Sequence, residues 1–299
     1  MIKSRAVSSI AIGLALLFLL AACGDGAAPV ASNGNESPAT APAPPPTSAA
    51  SPSDSGDAPA EPVSYEVWFH QGEYLFPTYR TEATGPAVGR AAVEALFAGP
   101  SDEEAQADVQ SQVPSGTRLL GLDIEGGVAT VDVSREFESG GGSLSVRMRV
   151  AQLLHTLTQF PSVDRVVLWI EGEHKDAISG EGIPTDEPLH PKDFADLFPA
   201  ITVSGPRIGD VVDNPVTITG TANVFEATVS IRIRDEAGEV IAETFTTASC
   251  GTGCRGDYEA VVRYQVAGSQ EGVIEVFESS AEDGSVTKLV RIPVTLSAQ

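Results

Sequence analysis

Basic residues are scarce in this chain: 18 Lys and Arg stand against 41 Asp and Glu among 299 residues, a formal charge of -23 at pH 7. Such a surface repels phosphate polymers, so nucleic acid is excluded as a partner. The same field opposes close approach to anionic lipid or teichoic-acid-like polymers. It would favour a basic partner or loosely held calcium, although acidity of this kind more often serves plain solubility. Aromatic residues make up only 6% of the chain, which argues against a surface that reads sugars by stacking. The four histidines, His70, His155, His174 and His190, are scattered without ligand spacing, so no metal and no cofactor is expected. His155 is expected on a helix flank. No Gly-x-Ser-x-Gly elbow, phosphate-binding Gly-x-x-x-x-Gly-Lys-Ser/Thr loop or His-Glu-x-x-His pair is present. Without a catalytic constellation the chain is expected not to be an enzyme. A hydrolase built from distant carboxylates is the remaining alternative, because spatial separation is invisible in a sequence. Asp102-Glu103-Glu104 follows Gly99-Pro100, where a solvated helix start is a simpler account than calcium. Gly140-Gly141-Gly142 is followed by no lysine and reads as the lead-in to a helix.

Long hydrophobic runs are also missing. The longest, from Ile10 to Leu20, is shorter than the roughly 20 residues that cross hydrocarbon. With Lys3 and Arg5 before it and small residues after it, residues 1–22 read as a secretory signal peptide. Leu20-Ala21-Ala22-Cys23 resembles the bacterial lipobox. That resemblance implies that the Cys23 thiol takes a palmitate-type acyl chain, that the peptide before it is removed, and that the new amino terminus is often acylated too. The anchor would hold the protein on the outer face of the bacterial cytoplasmic membrane, with membrane lipid as its first partner. Two or three acyl chains hold stably where one does not. Losing Lys3 and Arg5 with the leader takes the formal charge from -23 to -25. Of the three cysteines, Cys250 and Cys254 then remain as an even pair in an exported chain, and a structural disulfide is expected. Gly251 and Gly253 let the segment bend enough to bring the two Cα atoms into range. A redox or metal pair is the alternative, against which stand the three-residue spacing and the lack of a nearby histidine.

Residues 23–62 are mostly Ala, Pro, Ser, Gly and Thr, with no large apolar side chain beyond Val30. They cannot bury enough surface to offset ordering entropy and read as a disordered tether. As a flexible coil it would span about 35 Å, and as stiff polyproline about 120 Å. The remaining length, about 235 residues, suits two modest domains. In the first, residues 63–172, Tyr65, Val67 and Phe69 alternate with Glu66 and Trp68 as a strand with one chiefly apolar face. Pro86 stands where a helix would start, and Gly89, Ala92, Val93, Leu96 and Phe97 share a helical face before Gly99-Pro100 ends it. Leu120, Leu122 and Ile124, the Gly126-Gly127 turn, and Ala129, Val131 and Val133 read as a hairpin. Ser143 is expected to cap a second helix with the core face Val146, Val150, Leu153, Leu154 and Leu157. Pro161 stops it, and 163–170 is apolar enough for a central strand. This order predicts a small α/β sandwich with helices on one face of a mixed sheet. Residues 173–199, rich in Gly, Pro and charge, read as an interdomain linker with a short helix at 192–198. Residues 200–299 then hold seven short alternating segments: 201–203, 216–219, 228–233, 240–246, 258–264, 273–278 and 287–294. Together they predict an immunoglobulin-like sandwich and an α+β chain overall. Phe225 is expected to plug the sandwich end while Glu226 bonds a loop backbone; a contact patch is the alternative.

Several motifs tie these domains to known families. The first resembles the GerMN domain of sporulation and spore-germination lipoproteins. It is carried by Tyr79-Arg80, Ala95-Leu96-Phe97-Ala98-Gly99-Pro100, Val113-Pro114-Ser115-Gly116-Thr117, the run Val131 to Phe137 and the run Val166 to Gly172. The second resembles the immunoglobulin-like domain of bacterial spore germination. Its carriers are Ile201 to Pro206, Asn214-Pro215-Val216 with Gly220-Thr221-Ala222, Phe225-Glu226-Ala227, Asp235 to Gly238, Asp283-Gly284-Ser285 and Ile292 to Leu296. The resemblance implies a ring-building-like α/β fold used for protein–protein assembly and a non-catalytic role at the cell envelope. It does not imply that the organism sporulates. The leading expectation is a lipid-anchored scaffold for envelope proteins; a module binding cell-wall glycan or a small solute is the alternative.

Overall fold

The computed structural model of the chain describes residues 62–83, 87–178 and 183–298. The expected signal peptide, Cys23, nearly all of the tether and Pro86 lie outside them. The first domain opens with β1 (Pro62–Gln71), β2 (Tyr74–Ala83), α1 (Val88–Ala98), α2 (Asp102–Gln106) and β3 (Val109–Gln110). It continues through β4 (Leu119–Glu125), β5 (Val128–Val133), α3 (Ser143–Thr158) and β6 (Arg165–Ile170). The strands do not form the single mixed sheet expected. They make a three-stranded sheet in the order β2-β1-β3 and a separate sheet built on β4-β5-β6, in which β5 and β6 are parallel. Strand β2 was not expected at all. It pairs with β1 over its full length from Tyr74 to Ala83 and carries Pro77, which an edge strand accepts because one row of its N–H groups needs no partner.

Helix α3 is the reason for the split. It is buried nearly all round, from Val146 and Val150 on the expected face to Gln152, His155 and Thr156 on the other. Strand β3 pairs with β1 only at His70 and Gln71, so farther back the same edge of β1 would be left open. Side chains of α3 close it. Gln159 donates to Glu66 O at 2.7 Å and accepts from Glu66 N–H at 2.6 Å. Thr156 Oγ1 accepts from Trp68 N–H at 3.0 Å, and Gln152 Nε2 donates to Trp68 O at 3.3 Å. The spacing 152, 156, 159 is one stripe of an α-helix, and it stands in for a missing strand. Gln152 Oε1 also accepts from Gln112 N–H at 2.9 Å. Because both faces of β1 are covered, Trp68 and His70 are buried as well as Tyr65, Val67 and Phe69.

At its start α3 is capped by Gly142, and Ser143 is the first helical residue rather than the expected cap. The glycine lead-in is tied down by Arg149, which is 2% exposed. Its guanidinium donates to Phe137 O at 2.7 Å, Ser139 O at 2.9 Å and Gly140 O at 2.8 Å. Gly126 and Gly127, with φ of 57° and 82°, make the β4–β5 turn, where two successive left-handed residues match the strand twist. Of the expected core residues in β4, Leu120 and Ile124 remain about 40% exposed, at 43% and 40%. A bulge between Leu119 and Gly121 shifts the register. The acidic cluster is only partly solvated: Asp102 and Glu103 are exposed, but Glu104 is buried. Glu104 completes a capping box with Ser101 and pairs bidentately with Arg80 at 2.6 and 2.8 Å.

The segment 173–199 has structure of its own. β7 (Glu173–His174) extends the β6 sheet, and β8 (Ala177–Ile178) pairs with β9 (Ile183–Pro184). Ile178, Leu189, Phe194 and Leu197 are buried. The helix expected at 192–198 is only a 3-10 turn at Pro191–Phe194, and Pro199 disfavours helical backbone at Phe198 before it.

The second domain bears out all seven expected strands and adds one short one. β10 (Ile201–Gly205), β12 (Val216–Ala222) and β15 (Gly256–Val262) form one sheet. β11 (Val211–Val212), β17 (Val286–Leu296), β16 (Gln270–Ser279), β13 (Thr228–Arg234) and β14 (Val240–Thr247) form the other, in that spatial order. Inward residues such as Ile218, Ile231, Ile274 and Ile292 are at most 2% exposed. Gly220 is required at the middle of the three-stranded sheet, where it pairs with Tyr258: a Cβ there would lie 2.0 Å from Thr202 O and 2.6 Å from the tyrosine oxygen. The two domains touch directly. Arg207 stacks on Tyr79 at 4.3 Å and donates to Ser64 Oγ at 3.2 Å, while the segment between the domains is tied to the first by Leu75 N–H, which bonds Leu197 O at 2.9 Å. His155, expected on a flank, is instead stacked between Trp68 at 5.3 Å and Phe198 at 5.0 Å.

Two outcomes follow from this core. Gln152→Leu strands the buried Trp68 carbonyl and Gln112 N–H, and should cost about 2–4 kcal/mol in equilibrium urea unfolding. Burial pushes His155 down from 6.5 to about 4. Between those values the unfolded chain holds the extra proton, so stability falls as pH drops through that window, by on the order of 3 kcal/mol. His155→Phe should lose less stability than the native chain between neutral pH and pH 4 when unfolding is followed at each pH, the acid response of the carboxylates being common to both.

Candidate functional site

The outer face of the five-stranded sheet gathers three arginines around one buried carboxylate. Alternation in β13 sends Val229, Ile231 and Ile233 inward and Arg232 and Arg234 outward. Register then places Arg232 opposite Glu275 on β16, and Glu275 opposite Arg291 on β17. The three guanidiniums converge on this one carboxylate, Arg232 at 2.6 Å, Arg234 at 2.9 Å and Arg291 at 3.3 Å. Burial alone would raise the Glu275 pKa; the hydrogen bonds from Arg234 and Arg232 outweigh it and hold the group ionised below its usual range. Arg232 also lies over the Phe277 ring at 4.8 Å. Glu275 is 3% exposed, whereas the Arg291 side chain is 61% exposed. The cluster therefore presents cationic groups outward over a buried anion.

Beside it, edge strand β14 displays Phe245, which is 70% exposed and paired in register with the outward Ser230. β14 has no ladder partner on its far side; it meets β15 of the opposite sheet through Thr246 Oγ1, which donates to Glu259 O at 2.8 Å. Exposed phenylalanine and arginine on one face are residue types enriched at protein interfaces.

The structure brings together two features that were read separately in the sequence. Cys250 and Cys254 are joined in a disulfide, with their Cα atoms 5.7 Å apart, in the loop from β14 to β15. That loop braces the turn carrying Phe225 and Glu226: Thr252 N–H bonds Val224 O at 2.9 Å, and Glu226 N–H bonds Thr252 Oγ1 at 2.9 Å. Phe225 is not the expected plug. It is 50% exposed, and Val224, at 1%, fills the sandwich end instead. Nor does Glu226 act through its carboxylate in holding the loop; its own N–H does so, from a left-handed φ of 53°. The Phe225 N–H donates to Glu278 Oε2 at 2.6 Å, and Lys288 reaches the same oxygen at 3.0 Å. No group of three or more His, Cys, Asp and Glu that could hold a metal ion occurs among the described residues. Cys23 lies outside them.

Residues 53–176 match a family model described as sporulation and spore germination. Residues 200–285 match one described as the immunoglobulin-like domain of bacterial spore germination. Among solved structures, the chain is similar to the first GerMN domain of the sporulation protein GerM from Bacillus subtilis, at 27% identity and a TM-score of 0.39. That match covers 44% of this chain and 99% of the other. It is also similar to the tandem GerMN domains of the same protein, at 18% identity and a TM-score of 0.41, over 80% of this chain and 62% of that one. No curated protein matches the sequence. Both family descriptions name a process and neither names a reaction. Residues 53–176 thus belong with the sporulation and spore germination domain, and residues 200–285, after them, with the immunoglobulin-like domain of bacterial spore germination.

Proposed function

We propose that this protein is a non-catalytic, lipid-anchored scaffold that holds partner proteins on the outer face of the cytoplasmic membrane. Cys23 carries the anchor, and the outer face of the five-stranded sheet carries the docking surface. The observation that supports it is Phe245, 70% exposed beside the Arg232–Arg234–Arg291 cluster on a chain whose overall charge is -23. An acidic protein gains no general solubility from an exposed phenylalanine, while a partner that brings an apolar side chain and a carboxylate finds both complements there. Interface energy concentrates in a few aromatic and arginine side chains, so single substitutions should have large effects.

The test is mass spectrometry of proteins crosslinked to the tagged chain in its native membrane. A defined set of envelope proteins should be captured by the native chain and lost with Cys23→Ala. Phe245→Asp and Arg291→Glu should each weaken the leading partner at least about tenfold. A reproducible set that survives both surface variants would remove the docking face, and an empty set in the native membrane would remove the scaffold.

A further inference from the structure

The two domains enclose a cleft of about 680 Å³, walled on one side by residues of β1, β2 and α3 and on the other by 198–203, Asn223, Arg255 and 288–290. A volume of this size suits a small organic molecule. Its apolar lining includes Leu75, Phe76, Phe198, Ile201 and Val203. The charged lining is one-sided. Among the described residues Arg255 and Lys288 line the cleft and no Asp or Glu does, although acidic residues outnumber basic ones by 41 to 18 in the chain; Lys288 is shared with Glu278 Oε2, just outside the lining, at 3.0 Å. Arg255 has no counter-ion among the described residues. It donates to Thr221 Oγ1 at 2.8 Å, to Thr221 O at 3.3 Å and to Pro199 O, and stacks on Phe198 at 4.7 Å. A guanidinium satisfied only by neutral oxygens keeps its full charge available to an incoming anion. His155, which also lines the cleft, is 9% exposed, and its Nε2 has no hydrogen-bond partner. Buried polar atoms are normally paired, so an unpartnered one at a cavity wall is a contact held open.

We propose that this cleft binds a small amphipathic anion: an apolar or aromatic body lies against Phe198, Phe76 and Leu75, and a carboxylate-type head is taken by Arg255 and Lys288. His155 supplies a neutral hydrogen-bonding group beside the Phe198 ring. The site is separate from the docking face, since neither Phe245 nor Arg291 lines it. Because residues of both domains form its walls, an occupant would also brace one domain against the other.

The matched probes are anilinonaphthalene sulfonate and its uncharged parent phenylnaphthylamine, titrated into the full chain. Binding is read from probe emission and from energy transfer out of Trp68, whose ring lies 5.2 Å from Phe198. The sulfonate should bind saturably, one per chain, and at least about tenfold tighter than the neutral parent. Arg255→Gln with Lys288→Gln should bring the two probes to within about threefold of each other. Arg255→Lys, which keeps the charge, should retain most of the preference, as should Arg263→Gln, which removes a charge outside the cleft. Lys288→Gln alone disturbs no backbone carbonyl and should lose part of the preference even if the double variant does not fold. Absence of saturable binding, equal affinity for the two probes, or a preference that survives both the single and the double glutamine variants would each overturn the proposal.

Discussion

The first domain depends on how the open edge of β1 is closed. A buried strand with an unpaired row of N–H and C=O groups is costly, and proteins either pair such an edge or cover it. Here a helix does both. Gln152, Thr156 and Gln159 place amide and hydroxyl groups where an adjacent strand would have placed peptide groups. Those three side chains fix the height and rotation of α3 against β1. With that fixed, Leu153, Leu154 and Leu157 are directed into the core, and β5 and β6 find their parallel pairing after the crossover. Apolar packing supplies most of the free energy of such a core, but it is not directional. The polar stripe is what selects this arrangement over a helix slid by one turn.

The same helix couples the domains. His155 leaves α3 on the side facing the second domain and is stacked between Trp68 and Phe198, and Arg255 covers the other part of the Phe198 environment. Phe198 belongs to the segment between the domains, whose Leu197 carbonyl is bonded to β2. A connector rich in Gly, Pro and charge is therefore held at several points by single buried side chains. Its position defines the cleft, because Pro199 and Ile201 at its end are lining residues.

What could be read from the residues followed the period of their burial. The second domain was legible strand by strand because each inward side chain is followed by an outward one, as in Thr228–Arg234 and Gly256–Val262. In the first domain α1 and the apolar face of α3 were legible for the same reason. Strand β2 was not: Pro77, Thr78 and Arg80 give it a broken, polar texture that only pairing with β1 makes extended. The stripe at 152, 156 and 159 has visible helical spacing, yet polar residues on a helix ordinarily mark its wet side, and nothing local says that this side meets a strand edge. Glu275 alternates outward between the inward Ile274 and Val276. Its burial comes from Arg232, Arg234 and Arg291, which lie on two other strands. Phe225 was misplaced because size argued for a plug, whereas the smaller Val224 fits the end of the sandwich.

Pro62, the first described residue, opens β1, and that strand is paired to β2 along its whole length. A pull on the residues before Pro62 is therefore delivered along the strand axis. It loads the β2 ladder, the β3 pairs and the α3 side-chain bonds in parallel, so they share the force and must fail together instead of opening one by one. Loaded in this way β1 is held in shear, the geometry in which a small sheet best resists extension, and tension reaches the interior of the domain without first peeling its strands apart.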